Sequence, residues 1–420
     1  MPLNAAVREG EAETKVVAEM VVRRSYGKLV AFLAARTGDV AGAEDALSEA
    51  FAAALETWPQ QGCPANPEAW LLTVARRKSI DNIRRNARID DHAELETLPS
   101  FPHAAEDSAQ IPDRRLALMF ACAHPAIEAS IRSPLMLQAI LGLDAKAIAS
   151  AFLVSPEAMG KRLVRAKQKI RQAGIPFRVP ERAEMPERLA AVLEAIYAAF
   201  TEGWSDPLGN DAARSDLTGE ALFLAELVNE LLPGEPEALG LLALMLHSQA
   251  RRPARRSAEG EYVPLAQQNQ DLWDLAMIRR AESLLVGASK AASVGRYQLE
   301  AAIQSAHVER CRTGKANWDA VVHLYDALLA LTYSPVVAIN RALALGELRG
   351  PAAGIAAMPL PANDARLAEY QPYWAARAEL LRRSGHAQEA RQALEIAIGL
   401  AADPAVRRYL EQRRAEFPVE

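Results

Sequence analysis

Cysteine is scarce in this 420-residue chain, and the three present, Cys63, Cys122 and Cys311, lie far apart. They form no CxxC or HxxxC pair, so neither a zinc site nor a disulfide framework is expected, and the usage fits a reducing, cytoplasmic setting. No run of about 18 uncharged apolar residues occurs, so no membrane-spanning helix is expected. The opening MPLNAAVREGEAETK carries acids and no apolar core, unlike a signal peptide. Alternating runs rich in Val, Ile and Thr are almost absent, and the periodic segments read as helix, so the expected fold class is all-α. The seven histidines form no HExxH or His/Asp/Cys cluster, and His247-Ser248 is not a nucleophile elbow. No catalytic residue, metal or cofactor is assigned. Trp204, Trp273, Trp318 and Trp374 read as core residues rather than ligand cages.

What is present is charge, unevenly spread. The net charge is −5, yet residues 1–183 hold 24 Lys and Arg against 22 acids, and residues 184–420 hold 24 against 31. Residues 37–75 have no Lys or Arg. Then Arg76, Arg77, Lys78, Arg84, Arg85 and Arg88 arrive together. Residues 89–113 carry seven acids and no base, and 155–182 carry eight bases against two acids. Two basic stripes set between acidic stretches can place phosphate contacts at two points. Read alone, they also suit two solvated helix faces.

Helices are expected over 13–36, 41–57, 67–88, 113–129, 132–142, 145–152 and 156–172, with many more from 186 to 415. Proline-rich breaks fall at 59–67, 96–113 and 173–186, the last two as domain boundaries. In NPEAWLLTVARRKSIDNIRR, Asn66 is a plausible N-cap and Pro67 the first helical residue. Trp70, Leu71, Val74, Ile80 and Ile83 form its core-facing stripe. In DAKAIASAFLVSPEAMGKRLVRAKQKI, a short helix turns at Leu153–Val154 into a second one capped by Ser155. Met159, Leu163, Ala166 and Ile170 share one face of that helix, and Ala158, Lys161, Arg162 and Arg165 share the other. A helix-turn-helix needs this division, with one face held by the fold and one free for the major groove.

Together these residues resemble a sigma-70 family RNA polymerase sigma factor of the extracytoplasmic-function type. AEDALSEAFAAALETWP resembles the core-binding helix of sigma domain 2: Glu44, Asp45, Glu49 and Phe51 match, while Ser48 stands where Gln is common. NPEAWLLTVARRKSIDNIRR resembles the helix that engages the −10 element, and the helix-turn-helix with RLVRAK resembles domain 4, which reads the −35 element. RQAGIPFRVP, SQARRPAR, VPLAQQNQDLWD, YQLEAAIQSAH, SPVVAINRALALGE and AARAELLRRSGHAQEAR resemble the subgroup with a TPR-like C-terminal extension. The implied organisation is domain 2 over 1–90, an acidic linker over 91–112, domain 4 over 113–179, a helical extension over 184–290 and TPR-like repeats over 291–420. Trp374, Ala378, Leu381, Gly385, Ala390, Leu394 and Ala397 fit the repeat template, with weaker copies at Ala320, Leu324 and Ala327 and from Ala342 and Leu345.

The resemblance implies core RNA polymerase and promoter DNA as partners. Glu44, Asp45, Glu49 and Phe51 would meet the polymerase; Arg76, Arg77, Lys78, Asn82, Arg84 and Arg85 would hold the −10 element; and Ala158, Lys161, Arg162 and Arg165 would bind the −35 duplex. The extension, net negative, would regulate through intramolecular contacts or a protein partner. Two other readings stay open on residues alone. One is an interaction protein with a structural N-terminal bundle, and the other a ligand-sensing helix-turn-helix repressor or activator.

Overall fold

The computed structural model describes residues 25–89, 114–152, 154–181, 183–204, 212–291, 293–362 and 364–416. The expected acidic linker and residues 1–24 lie outside these. Among the described residues all regular structure is helical apart from one isolated bridge between Arg256 and Tyr262. No helix there is long and apolar enough to cross a membrane.

The chain divides into two compact units, with the division at Leu224–Ala225. The first contains α1 (25–37), α2 (Val40–Gln61), α3 (Pro67–Ile89), α4 (Arg115–Cys122), α5 (Ala129–Leu141), α6 (Ala145–Ala151), α7 (Pro156–Gln172), α8 (Met185–Trp204) and the start of α9 (Ala212–Leu231). Three boundaries differ from expectation. α2 continues through Pro59 to Gln61, and the helix expected over 113–129 stops at Cys122. Pro125 drives His124 out of helical geometry. A turn follows, in which the Ile127 N–H donates to the His124 carbonyl at 2.9 Å. The next helix therefore starts at Ala129, and Pro134 lies inside it.

The expected boundary at 179–184 is not a break in packing. α8 buries Val192, Leu193, Ile196, Ala199 and Phe200, and packs on α4 and α5. Arg132 reaches Glu187 at 3.0 Å, and the Ser133 hydroxyl donates to Glu194 at 2.7 Å. Prolines shape the loop before α8, but its apolar stripe decides where it belongs. The first helix of the extension thus completes the core formed by α4 and α5.

The second unit continues through α10 (Pro236–Ala250), α11 (Leu275–Ala288), α12 (Arg296–Thr313), α13 (Trp318–Thr332), α14 (Pro335–Arg349), α15 (Pro351–Ala357), α16 (Gln371–Arg383), α17 (Ala387–Leu400) and α18 (Pro404–Ala415). α12 packs chiefly on α10, and each helix from α13 onward packs chiefly on its chain neighbours. Ala378, Leu381, Ala390, Leu394 and Ala397 are buried between α16 and α17 as their small–large spacing requires, and the helices are joined through Gly385 at φ 82°. Gly354 needs its lack of a side chain, because a Cβ would lie 2.9 Å from the Ala342 carbonyl oxygen. In α13 the expected register fails: Val321, Val322 and Leu328 are buried, Ala320 and Leu324 only partly, and Ala327 is exposed. Bulkier apolar side chains one position on take the inner face.

Candidate nucleic-acid interface

Two helices build the first face. Asp39 caps α2, its carboxylate accepting from the Gly42 N–H at 3.1 Å. Ala43, Ala46, Leu47, Ala50, Ala54 and Trp58 form the buried line of α2, and its four alanines let α3 approach closely. Asp45, Ser48, Glu49, Ala52, Leu55 and Glu56 form the exposed line. Phe51 is half-buried beside it. Leu55, 49% exposed, is not among the residues the sequence points to; its place seven residues after Ser48, two turns along the same helical line, is the available signal.

On α3, Asn66 accepts from the Ala69 N–H at 3.1 Å, with Pro67 in the first turn, as the sequence predicts. The inner stripe is rotated from expectation. Leu71, Leu72, Ala75 and Ser79 are buried, while Trp70, Val74 and Ile80 are partly exposed. Trp70 stands edge-on to Trp58 at 5.5 Å, so part of its ring remains outside. The basic residues divide. Arg77 is exposed, and Lys78 pairs with Glu49 at 3.3 Å. Arg76 turns inward over the Phe32 ring at 5.3 Å, and burial, then the nearby Arg36 charge, lowers its pKa. It packs against the fold rather than offering a free guanidinium. Asn82, Arg84 and Arg85 lie on the same helix, but their side chains, like that of Ile83, lie outside the described residues.

The second face is α7. Ser155 caps it, accepting from the Ala158 N–H at 3.3 Å, and Pro156 follows. Met159, Leu163, Ala166 and Ile170 are buried. Lys161 and Arg165 face solvent, Ala158 is half-buried, and Lys161 pairs with Glu157 one turn back at 2.6 Å. Arg162 is drawn aside to Ser130 and to Glu128, the latter at 3.3 Å. Val164 is 56% exposed between these bases, although an apolar residue in a two-faced helix reads as part of the inner face.

The two faces are held together. Glu44, expected on the surface of α2, is instead largely buried and paired with Lys167 of α7. Its other oxygen, Oε1, is buried without a hydrogen-bond partner among the described residues. Burial raises the Glu44 pKa; Lys167 opposes the rise, and Asp45 and Asp39 add to it. The buried Cys122 thiol beside this pair is pushed up to about 12, by burial first and by Glu44 second. Arg171 reaches Asp39 at 3.3 Å. On the neighbouring contact, Gly27 of α1 lies so close to the Ile140 carbonyl of α5 that any Cβ would collide. Among the described residues no group of His, Cys, Asp and Glu side chains could hold a metal ion.

Comparison with known proteins adds to this geometry. The family "Sigma-70 region 2" matches residues 21–89, which span α1 to α3. A family of unknown function, DUF6596, matches residues 188–289. An uncharacterized protein of Rhizobium meliloti is 39% identical over 384 residues, covering 90% of each chain. No solved structure matches. The chain thus belongs to one family with that rhizobial protein along nearly its whole length, and through region 2 to the sigma-70 factors, which act in promoter recognition and transcription initiation.

Proposed function

We propose that the chain is an extracytoplasmic-function-type sigma factor of the cytoplasm, acting with core RNA polymerase at promoters of the −10/−35 kind. In this reading residues 1–90 form domain 2, 91–112 the linker and 113–179 domain 4. Asp45, Glu49 and Phe51, with Leu55 beside them, offer the polymerase an acidic and apolar stripe. Arg77 and Lys78 on α3, with Asn82, Arg84 and Arg85, would hold the −10 strand as it unstacks. Lys161 and Arg165 on α7 would contact the −35 duplex, with Val164 suited to a thymine methyl and Arg162 joining once released from Glu128. The observation that carries the reading is the region 2 match over α1–α3, joined to a capped helix whose buried and basic faces are opposed.

The Glu44–Lys167 pair deepens it. A carboxylate cannot serve the polymerase while buried against α7, so loading on the enzyme requires the two faces to part. The TPR-like extension would govern that step, because its first helix is already part of the α4–α5 core. Reconstituted transcription with core polymerase tests the reading. The expected result is run-off product that depends on both promoter elements; binding to DNA without polymerase, and no product with it, would replace the proposal with a conventional repressor or activator.

A further inference from the structure

The second unit holds two arginines, Arg251 and Arg310, that pair with no carboxylate among the described residues. His247 and Arg251 lie one turn apart at the end of α10, and α12, packed on it, presents Gln304, His307 and Arg310 from successive turns. Arg251 donates from Nε to the His247 carbonyl at 3.0 Å and from Nη2 to the Gln304 side-chain oxygen at 2.5 Å. Both acceptors are neutral, and Nη1 has no partner among the described residues. The Arg310 guanidinium lies over the Trp318 ring at 5.2 Å, with its Nε buried and unbonded.

The histidines beside them stay neutral. Burial, then Arg310 and Arg251, holds His307 down to about 4, and burial, then Arg251, holds His247 down to about 4. His247 is 0% exposed, and neither ring nitrogen has a hydrogen-bond partner among the described residues. Glu282 stands at the margin. Its Oε1 accepts from the Ser305 hydroxyl at 2.7 Å and lies 3.4 Å from His247 Nε2. With the imidazole neutral, that approach is not an ion pair.

Carboxylates are not short in this half of the chain, where acids outnumber bases 31 to 24. Other arginines of the unit find them: Arg256 pairs with Asp403 at 2.5 Å, Arg280 with Glu226 at 2.8 Å, and Arg383 with Glu347 at 2.6 Å. Arg251 and Arg310 are held half-buried by neutral partners instead. A desolvated guanidinium without a counter-charge is costly, so an arrangement that keeps two of them this way implies an anion from outside.

We propose that Arg251, Arg310, Gln304 and His307 form a binding site for a small phosphate-bearing ligand. Guanidinium forks match the oxygens of a phosphoryl group, and its two negative charges would balance both arginines, where a carboxylate would balance one. The residues matched to the family of unknown function include His247, Arg251 and Glu282, so the site joins that region to α12. The extension is then a sensor as well as a fixed part of the fold. This inference stands apart from polymerase binding, and its test does not use the enzyme.

The test is calorimetric titration of the full chain with inorganic phosphate, and with acetate at matched ionic strength. A single saturable phosphate site is expected, with acetate much weaker. Arg310→Gln should weaken phosphate about tenfold or more, the loss of a charge-assisted hydrogen bond. Arg312→Gln, on the same helix but exposed and paired with Glu309 at 3.3 Å, should leave it unchanged. Circular dichroism checks that each variant is folded; if Arg310→Gln is not, Arg251→Lys, which keeps the charge and loses the fork, should show the same weakening. No saturable phosphate binding, acetate binding as tightly as phosphate, or undiminished affinity in the folded variant would each overturn the proposal.

Discussion

Glu44 of α2 and Lys167 of α7 form a buried ion pair across 123 positions of sequence, joining the acidic face to the basic one. Among the described residues only one carboxylate oxygen is bonded, so the pair closes the unit without fully satisfying the charge it buries. Lys167→Ala would leave Glu44 buried and unpaired, at a cost of about 3–5 kcal/mol. Urea unfolding should show that loss, whereas Glu44→Leu with Lys167→Met should recover most of it. If opening precedes loading, the double variant should also bind core polymerase more weakly; equal binding in a pull-down would argue that the pair does not gate the interface.

Charge reversal on the exposed line gives a cleaner test of the polymerase face. Asp45→Lys with Glu49→Lys should reduce co-purification with core enzyme while helical content is kept, since both side chains are exposed. Glu49 also holds Lys78, so the single variants should differ, with Glu49→Lys further disturbing α3. Normal co-purification of the double variant would count against the assignment.

On α7, Arg165→Ala should weaken −35 binding by roughly 1–3 kcal/mol if it reads a base, and less if it holds a phosphate. Leu163→Ala empties a buried position and should cost about 2–5 kcal/mol of stability. Holoenzyme binding to promoter DNA, measured beside thermal unfolding, separates the two effects. Unchanged DNA affinity in a combined Arg162→Ala, Arg165→Ala variant would remove the −35 role from this face.

The second unit should lose stability on acidification through His247. Its pKa is lowered in the fold to about 4, against about 6.5 in the unfolded chain. The unfolded chain therefore binds the proton first. The stability is fully present above about pH 6.5 and is lost as pH falls towards 4, by on the order of 3 kcal/mol. His247→Phe should flatten that part of the pH profile in chemical denaturation, and an unaltered slope would show that the ring is not held neutral.

Removing the extension must respect where the packing ends. A chain cut after Val179 loses α8 and bares the apolar face of Met119, Met136 and Ile140, so it should aggregate whatever the extension's regulatory role. A chain cut after Leu231 keeps α8 and α9. Its run-off transcription should fall well below that of the full chain, provided circular dichroism shows it folded. Full output from that fragment would make the extension a separate interaction module.

Much of the local structure was legible in the residues alone. Ser155 before Pro156 and the spacing from Met159 to Ile170 specify a capped, two-faced helix, because capping and the 3.6-residue repeat are local physics. The all-helical class follows from the same periodicity, and the small residues from Ala378 to Ala397 anticipate a close helix pair. Burial between distant segments was not legible. Nothing near Glu44 in the chain announces Lys167, and nothing near Arg76 announces Phe32, since these contacts depend on which helices meet. Pro125 ends the helix that the periodicity extends to 129, and the prolines at 173–186 suggest a boundary that the packing does not respect, because proline acts on backbone angles while apolar area decides which core a helix joins. The sequence by itself determined the helices and the charge each carries. Only the tertiary structure decided which charges face solvent, as desolvation and pairing are settled when the helices pack.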